Sequence, residues 1–361
     1  MFCAGRMPGA TANPVLPSRV FGSHLSIAGS MVNALLEAES LGMDTVQVFT
    51  KNQQQWKVAP LDPGVVRDWH AHVTRLSWQG RTVSHASYLI NLASVSDELW
   101  AKSVGLMTVE VQRCEELGIP FLVHHPGSFT GSTLDHGLRR IADAYAEIFR
   151  RTRGYKTISC LEGTVGAGSL IGGRFEHLAA LREMISQATG EPGRIGFCLD
   201  TCHMHAAGYD MSTRAAAAAA LADFDRTCGI QHLRVLHIND SKGVVGSKLD
   251  RHQHIGMGTI GGGLKRPTQA RLAASGFAAV VNDPHCRTIP KILETPKEER
   301  SRTKPLPAPG TVFKGPKPLD IINLQRLKAL MDGDGSGTRP PYPAKPKKHR
   351  PSRRVNLTTG G

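Results

Sequence analysis

The sequence predicts an α/β protein built as a closed (β/α)8 TIM barrel, and three observations predict it. Eight short apolar or β-branched runs recur between residues 20 and 294. Stretches of helical periodicity separate them, which is the alternation expected of parallel βα units. Most of the runs end in, or just before, an imidazole or a carboxylate, as strands do when their C-terminal ends surround a site. A doubly wound open sheet is the structural competitor. It needs no eightfold count, and no G-x-G-x-x-G follows the first run.

The first run, VFGSH (20–24), leads into the periodic stretch SMVNALLEAESLG (30–42). TVQVF (45–49) and TVSH (82–85) come next, then the helical DELWAKSVGLMTVEVQRCEELG (97–118) before PFLVH (120–124). TISCL (157–161) precedes FEHLAALREMISQA (175–188), and IGFCL (195–199) precedes a six-alanine run at 215–220. That run follows MST, a suitable N-cap, and reads as helix. RVLHI (234–238) and PKILE (290–294) complete the eight strands, and DIINLQRLKALM (320–331) adds a closing helix. Two basic segments, 261–275 and the Pro-rich 297–318, read as loops. The domain therefore spans 20–331, with 1–19 a disordered leader or a misassigned start. Residues 332–361 form a low-complexity, disordered basic tail.

Of the 361 residues 40% are hydrophobic and 20% charged, enough for a sizeable core. The net charge of +14 and pI near 9.7 indicate a polyanionic partner, nucleic acid ahead of lipid. The tail supplies five of those charges. Seven cysteines, an odd number spread along the chain, argue against a disulfide framework and for a reducing compartment. Cys114, Cys160, Cys198 and Cys228 read as small buried apolar side chains. No run reaches the length of a membrane span, so no membrane role is expected and the location read is cytoplasmic.

The strand ends supply His85, His125, Glu162, Asp200, His237 and Glu294, and LDRHQH adds Asp250 and His252. Singly, each has a plain structural reading: a satisfied histidine, a helix N-cap, a carboxylate beside a basic neighbour. Together on one face they are costly to bury without a compensating charge, and a divalent metal is the natural one. Imidazole with carboxylate, without clustered thiolate, suits Zn2+ or Mn2+ in a hydrolytic site. Cys198 and Cys202 have zinc-compatible spacing, but no second cysteine pair follows. In CLDTCHMHAAGYD, spacing mildly favours His203 over His205 as the residue sharing a pocket with Asp200.

With these residues in hand, the chain resembles the endonuclease IV family of apurinic/apyrimidinic endonucleases from about residue 21 to 330. The resemblance is carried by GSHLSIAGS, FTKNQQQW, HASYLINLAS, HHPGS, LEGTVGAGS, CLDTCHMHAAGYD, LHINDSKGVVGSKLDRHQHIGMGTIG and KILETP, in family order. It implies hydrolysis of the phosphodiester 5′ to an abasic site in double-stranded DNA, leaving a 3′-hydroxyl and a 5′-deoxyribose phosphate. It also implies three zinc ions, with Mn2+ admissible at some sites. His85, His125 and Glu162 would hold the first, and Glu162, Asp200, His237 and Glu294 the second. His203, Asp250 and His252 would hold the third, and His205 none. Glu162 would orient or deprotonate the attacking water, and Gln54, Tyr88 and Leu89 would meet DNA at the lesion. A monomer, associated with the nucleoid, is expected.

Three departures stand out: Gln54 where relatives often carry arginine, Met257 in place of a frequent glutamate, and an insertion around LKRPTQARLAA. The last puts the register of the eighth strand, and with it Glu294, at issue. Two other readings compete. A sugar isomerase or epimerase of the xylose-isomerase-like type would use Glu162, Asp200, His237 and Glu294, leaving His85, His125, Asp250 and His252 unexplained. A non-catalytic DNA-binding barrel is the other.

Overall fold

All eight runs form strands of one parallel sheet. They are β1 (Phe21–Ser23), β2 (Gln47–Val48), β3 (Val83–His85), β4 (Phe121–His124), β5 (Ile158–Glu162), β6 (Ile195–Asp200), β7 (Leu233–His237) and, after a short hairpin, β10 (Lys291–Leu293). The hairpin pairs β8 (Asp240–Ser241) with β9 (His252–Gln253) outside the main sheet. The sheet runs β1-β10-β7-β6-β5-β4-β3-β2, every pairing parallel. A bridge between His24 and Gln47 joins its two edges, with Leu25 N–H donating to the Gln47 carbonyl at 2.9 Å. The sheet is a TIM barrel. This computed structural model describes residues 20–297 and 318–331; the leader, most of the Pro-rich segment and the tail lie outside the described residues.

Helices cover the barrel: α1 (Met31–Ser40), α2 (Pro63–Arg75), α3 (Asp97–Glu116), α4 (Leu134–Arg151), α5 (Phe175–Thr189), α6 (Thr201–Ala207), α7 (Arg214–Cys228), α8 (Gln269–Ala273), α9 (Gly276–Asn282) and α10 (Pro318–Lys328). Their starts follow local chemistry. Asp62 caps α2 ahead of Pro63, and Thr213 caps the polyalanine helix α7. Among the described residues no helix is long and apolar enough to cross a membrane. The 261–275 segment departs from the loop reading. Thr268 Oγ1 accepts from Arg271 N, and Leu272 is buried, so a cap and an anchor make α8.

What positions the site is the period of two along each strand. Val83, Val123, Cys160, Cys198, Val235 and Ile292 pack as one fully buried cluster inside the barrel. Two residues further along each of those chains stand His85, His125, Glu162, Asp200, His237 and Glu294. The inserted residues do not disturb β10: Ile292 pairs with His237 and Gly22, leaving Glu294 next to the site. On β1 the strands approach so closely that a Cβ at Gly22 would lie 2.4 Å from the Thr45 carbonyl oxygen.

Candidate metal centre

Glu162, at the end of β5, sits at the middle of the upper layer. Its Oε2 is 3.2 Å from His85 Nε2 and 3.3 Å from His125 Nε2; its Oε1 is 2.8 Å from His237 Nδ1 and 3.5 Å from His203 Nδ1. His237 Nδ1 also lies 3.2 Å from Glu294 Oε2 and 3.9 Å from Asp200 Oδ2. Burial alone would raise the Glu162 carboxyl, but the charges of His237 and His125 overrule it and hold it well below the usual range. Burial would lower His237, yet Glu294 and Glu162 raise it to about 9.

Asp200 answers the question of whether such an aspartate caps a helix or serves a site: it does both. Oδ1 caps α6 by accepting from Cys202 N (2.6 Å) and His203 N (3.1 Å). Oδ2 is turned to the cluster, 2.6 Å from Asn239 Nδ2 and 3.5 Å from His252 Nε2. One turn of α6 then places His203 beside it, Nδ1 on the Gly163 carbonyl at 2.9 Å and Nε2 3.3 Å from Asp250 Oδ1. His252 Nε2 is 3.6 Å from the same Asp250 oxygen. His205, on the same helix, contacts Met211 N and Asp210 instead. His124 likewise faces outward onto Tyr145, and burial pushes it down to about 4.

Four groups of donors therefore converge, each with its ligand atoms within 4.8 Å of one another: His85, His125 and Glu162; Glu162, Asp200, His237 and Glu294; Asp200, His203 and His252; and Glu162 and His237 with the thiol of Cys198, which burial keeps protonated. Asp250 joins the third through its contacts with both histidines. These residues fit divalent metal. Four carboxylates find histidines as their ion-pair partners, and His252 Nε2 is buried with no hydrogen bond although two carboxylates flank it. Such an atom is placed for a common centre rather than for either neighbour.

Of the residues proposed to face DNA, Tyr88 stands directly against the histidines. Tyr88 is 59% exposed, yet its ring lies 5.2 Å from that of His85 and 5.9 Å from that of His125. Partial desolvation against the histidines, and then the carboxylates nearby, raise its pKa. Leu89 packs partly buried against the core, and Gln54 is exposed on the loop after β2. That loop is tied down: Ser87 Oγ donates to the Gln53 carbonyl, and buried Glu110 of α3 accepts from Thr50 Oγ1 and Ser87 N beside Lys51 Nζ at 3.7 Å.

Sequence reasoning passed over four residues here. His24, just after β1, and Gln47, which opens β2, lie on the two strands credited with no ligand, and both reach Glu294 (His24 Nδ1 at 3.3 Å, Gln47 Nε2 at 2.6 Å). Asn239 holds Asp200 and accepts from Glu294 N at 2.7 Å. Asp240, raised to about 6 by burial, is wrapped by the loop that contains Met257, accepting from Gly256, Ile260 and Gly261 N–H groups. His24 sits at a strand end like the others and was legible by the same rule; the amides carried no such signal.

A parallel barrel whose strand ends gather histidine and carboxylate around shared points defines a metal-dependent TIM-barrel enzyme. The family described as xylose isomerase-like TIM barrel matches residues 35–282. The chain is 40% identical over 313 residues to a protein named probable endonuclease 4 from Chloroflexus aurantiacus, covering 87% of this chain and 98% of that one. The crystal structure of endonuclease IV from Thermus thermophilus superposes with a TM-score of 0.68 at 31% identity, covering 86% of this chain and 98% of that one. D-psicose 3-epimerase from Clostridium cellulolyticum H10, at 13% identity and TM-score 0.53 over 86% of this chain and 96% of that one, shares the fold alone. The chain belongs to the endonuclease IV family.

Proposed function

We propose that the chain is a DNA repair endonuclease that hydrolyses the phosphodiester 5′ to abasic sites in double-stranded DNA with three zinc ions, leaving a 3′-hydroxyl and a 5′-deoxyribose phosphate. One observation carries the reading: nine side chains, each from the position its motif implies, gather into overlapping donor groups that share Glu162 and Asp200. Bound zinc supplies charge neutralisation at a phosphate and acidifies the water it holds. The chain's own residues do the rest. His85, His125 and Glu162 would hold one ion; Glu162, Asp200, His237 and Glu294 the second; His203, Asp250 and His252 the third.

Glu162, whose two oxygens face His85 and His237, lies between the first two donor groups and, as the family resemblance implies, would orient or deprotonate the attacking water. Tyr88, with Leu89 behind it, offers an exposed ring above the basin. Gln54 offers an amide where a longer cation would reach further into the base stack. An abasic nucleotide has no base to unstack and costs less to extrude, which favours a lesion over intact duplex. The protein is read as a monomer of the cytoplasm, associated with the nucleoid.

A sugar epimerase would employ only the four-residue group around His237; it leaves His85, His125, His203, Asp250 and His252 gathered for no purpose. The deciding experiment incubates zinc-loaded protein with a duplex holding one tetrahydrofuran abasic analogue, labelled on the damaged strand. That analogue cannot undergo β-elimination. A single cut on its 5′ side with an extendable 3′-hydroxyl is expected; an intact strand would overturn the proposal.

A further inference from the structure

Gln47 lies on β2, a strand that brings no ionisable group to the site, and its amide has one workable orientation. Nε2 is 2.6 Å from Glu294 Oε1, and Oε1 is 2.8 Å from His237 Nε2. A carboxylate only accepts, so the amide atom that faces Glu294 is the nitrogen; the flipped amide would press two oxygens together. Gln47 Oε1 then needs a donor, and the atom it meets is His237 Nε2. That nitrogen therefore carries a hydrogen whether the ring is neutral or charged, and Nδ1 is the nitrogen that would give up its proton to a cation. His237 Nδ1 is left to face Glu162, Glu294 and Asp200, at 2.8, 3.2 and 3.9 Å.

We propose that Gln47 is a positioning residue that fixes His237 as an Nδ1 ligand and ties Glu294 to it, so that one neutral amide sets two ligands of the same metal. The inference rests on the metal reading above. Histidine ligands ordinarily donate their second N–H to a carboxylate or a carbonyl, which fixes tautomer and ring orientation. Here the acceptor is an amide oxygen whose nitrogen end grips the neighbouring ligand. His237 at the end of β7 and Glu294 just after β10 are thereby oriented from β2, across the seam where His24 and Gln47 join the sheet edges. His24 adds to the clamp, with Nδ1 2.9 Å from Gln47 Nε2 and 3.3 Å from Glu294 Oε1.

The test uses the full zinc-loaded chain. Long-range 1H–15N correlation of the His237 ring should show a metal-bound Nδ1 and a hydrogen-bearing Nε2. Gln47→Leu keeps the size of the side chain and removes both contacts. Under chelator competition it should lose one zinc about 10- to 100-fold more readily than the wild type, the magnitude usual for such outer partners. The other zinc ions should be retained as in the wild type, and the chain should stay folded with a melting temperature lowered by only a few degrees, about the cost of two orphaned polar groups. Ligation through Nε2 in a zinc-replete wild type, or unaltered zinc retention in Gln47→Leu, would overturn this inference alone. A chain that takes up no zinc would overturn the metal reading and this inference with it.

Discussion

The barrel interior holds two layers that share a backbone and differ in everything else. The lower layer is Val83, Val123, Cys160, Cys198, Val235 and Ile292; the upper, two residues along each strand, is His85, His125, Glu162, Asp200, His237 and Glu294. Pleating alone sets the pairing, because residues i and i+2 point to the same side. The lower set is stabilised by dispersion and by removal from water. The upper set carries a desolvation cost that only opposite charge and metal can offset. One layer makes the barrel and the other uses it, and substitutions should separate the two.

The largest effect should come from Glu162→Gln, which keeps shape and removes charge. Incision of abasic duplex should fall at least about 10²–10³-fold, the usual cost of one electrostatic partner in a preorganised site. The melting temperature should move little. Unchanged turnover would break the division at its centre. Ile292→Ala should do the opposite. Truncating a fully buried core side chain costs about 2–5 kcal/mol, so denaturant midpoints should drop while incision by the folded fraction persists.

A smaller effect sharpens the lower region. Lys291, neighbour of Ile292 on β10, is buried with Nζ on the Arg287 and Ile289 carbonyls at 3.1 and 3.0 Å. Burial pushes its pKa down from 10.5 to about 8. The unfolded chain holds that proton more tightly, so this group disfavours folding below about pH 8, and stability should rise as pH climbs from about 8 towards 10.5. Lys291→Met removes that burial penalty but leaves two carbonyls without their donor, each worth about 1 kcal/mol. A modest net gain at pH 7 and loss of the rise between 8 and 10.5 should appear in urea titrations. A rise that survives the substitution would contradict this assignment.

The smallest effect concerns the rim. Gln54→Arg, on an exposed loop, should change stability by no more than about 0.5 kcal/mol. It should tighten binding to abasic duplex, read by gel shift under non-cleaving conditions; unchanged or weaker binding would remove Gln54 from the DNA contact.

The fold and the nine candidate ligands were legible in the sequence, the six at the strand ends because they follow from a short-range rule. Strand periodicity marked all eight strands, and the same alternation leads from Val83 to His85 or from Ile292 to Glu294. What stayed hidden depends on contacts between distant segments. Gln47 is an ordinary strand glutamine until the barrel closes and brings His237 and Glu294, 190 and 247 residues away, to its amide. Asn239 acquires its role only when β6 and β10 flank it. Asp240 is an unremarked carboxylate until the glycines of 256–261 fold over it; at Gly258 and Gly261 a Cβ would come within 2.6 Å of its oxygens. The short helix α8 was missed because its cap, Thr268, follows a Pro and a basic pair that suggest continued loop.

One proposal is more exposed than any other: the upper layer, with His203, Asp250 and His252 beside it, holds three metal ions. Native mass spectrometry of the full chain, purified with zinc and desalted under non-denaturing conditions, measures it directly. A monomer carrying three zinc ions is the expected species. A folded chain that carries none, or that saturates at one, would contradict it.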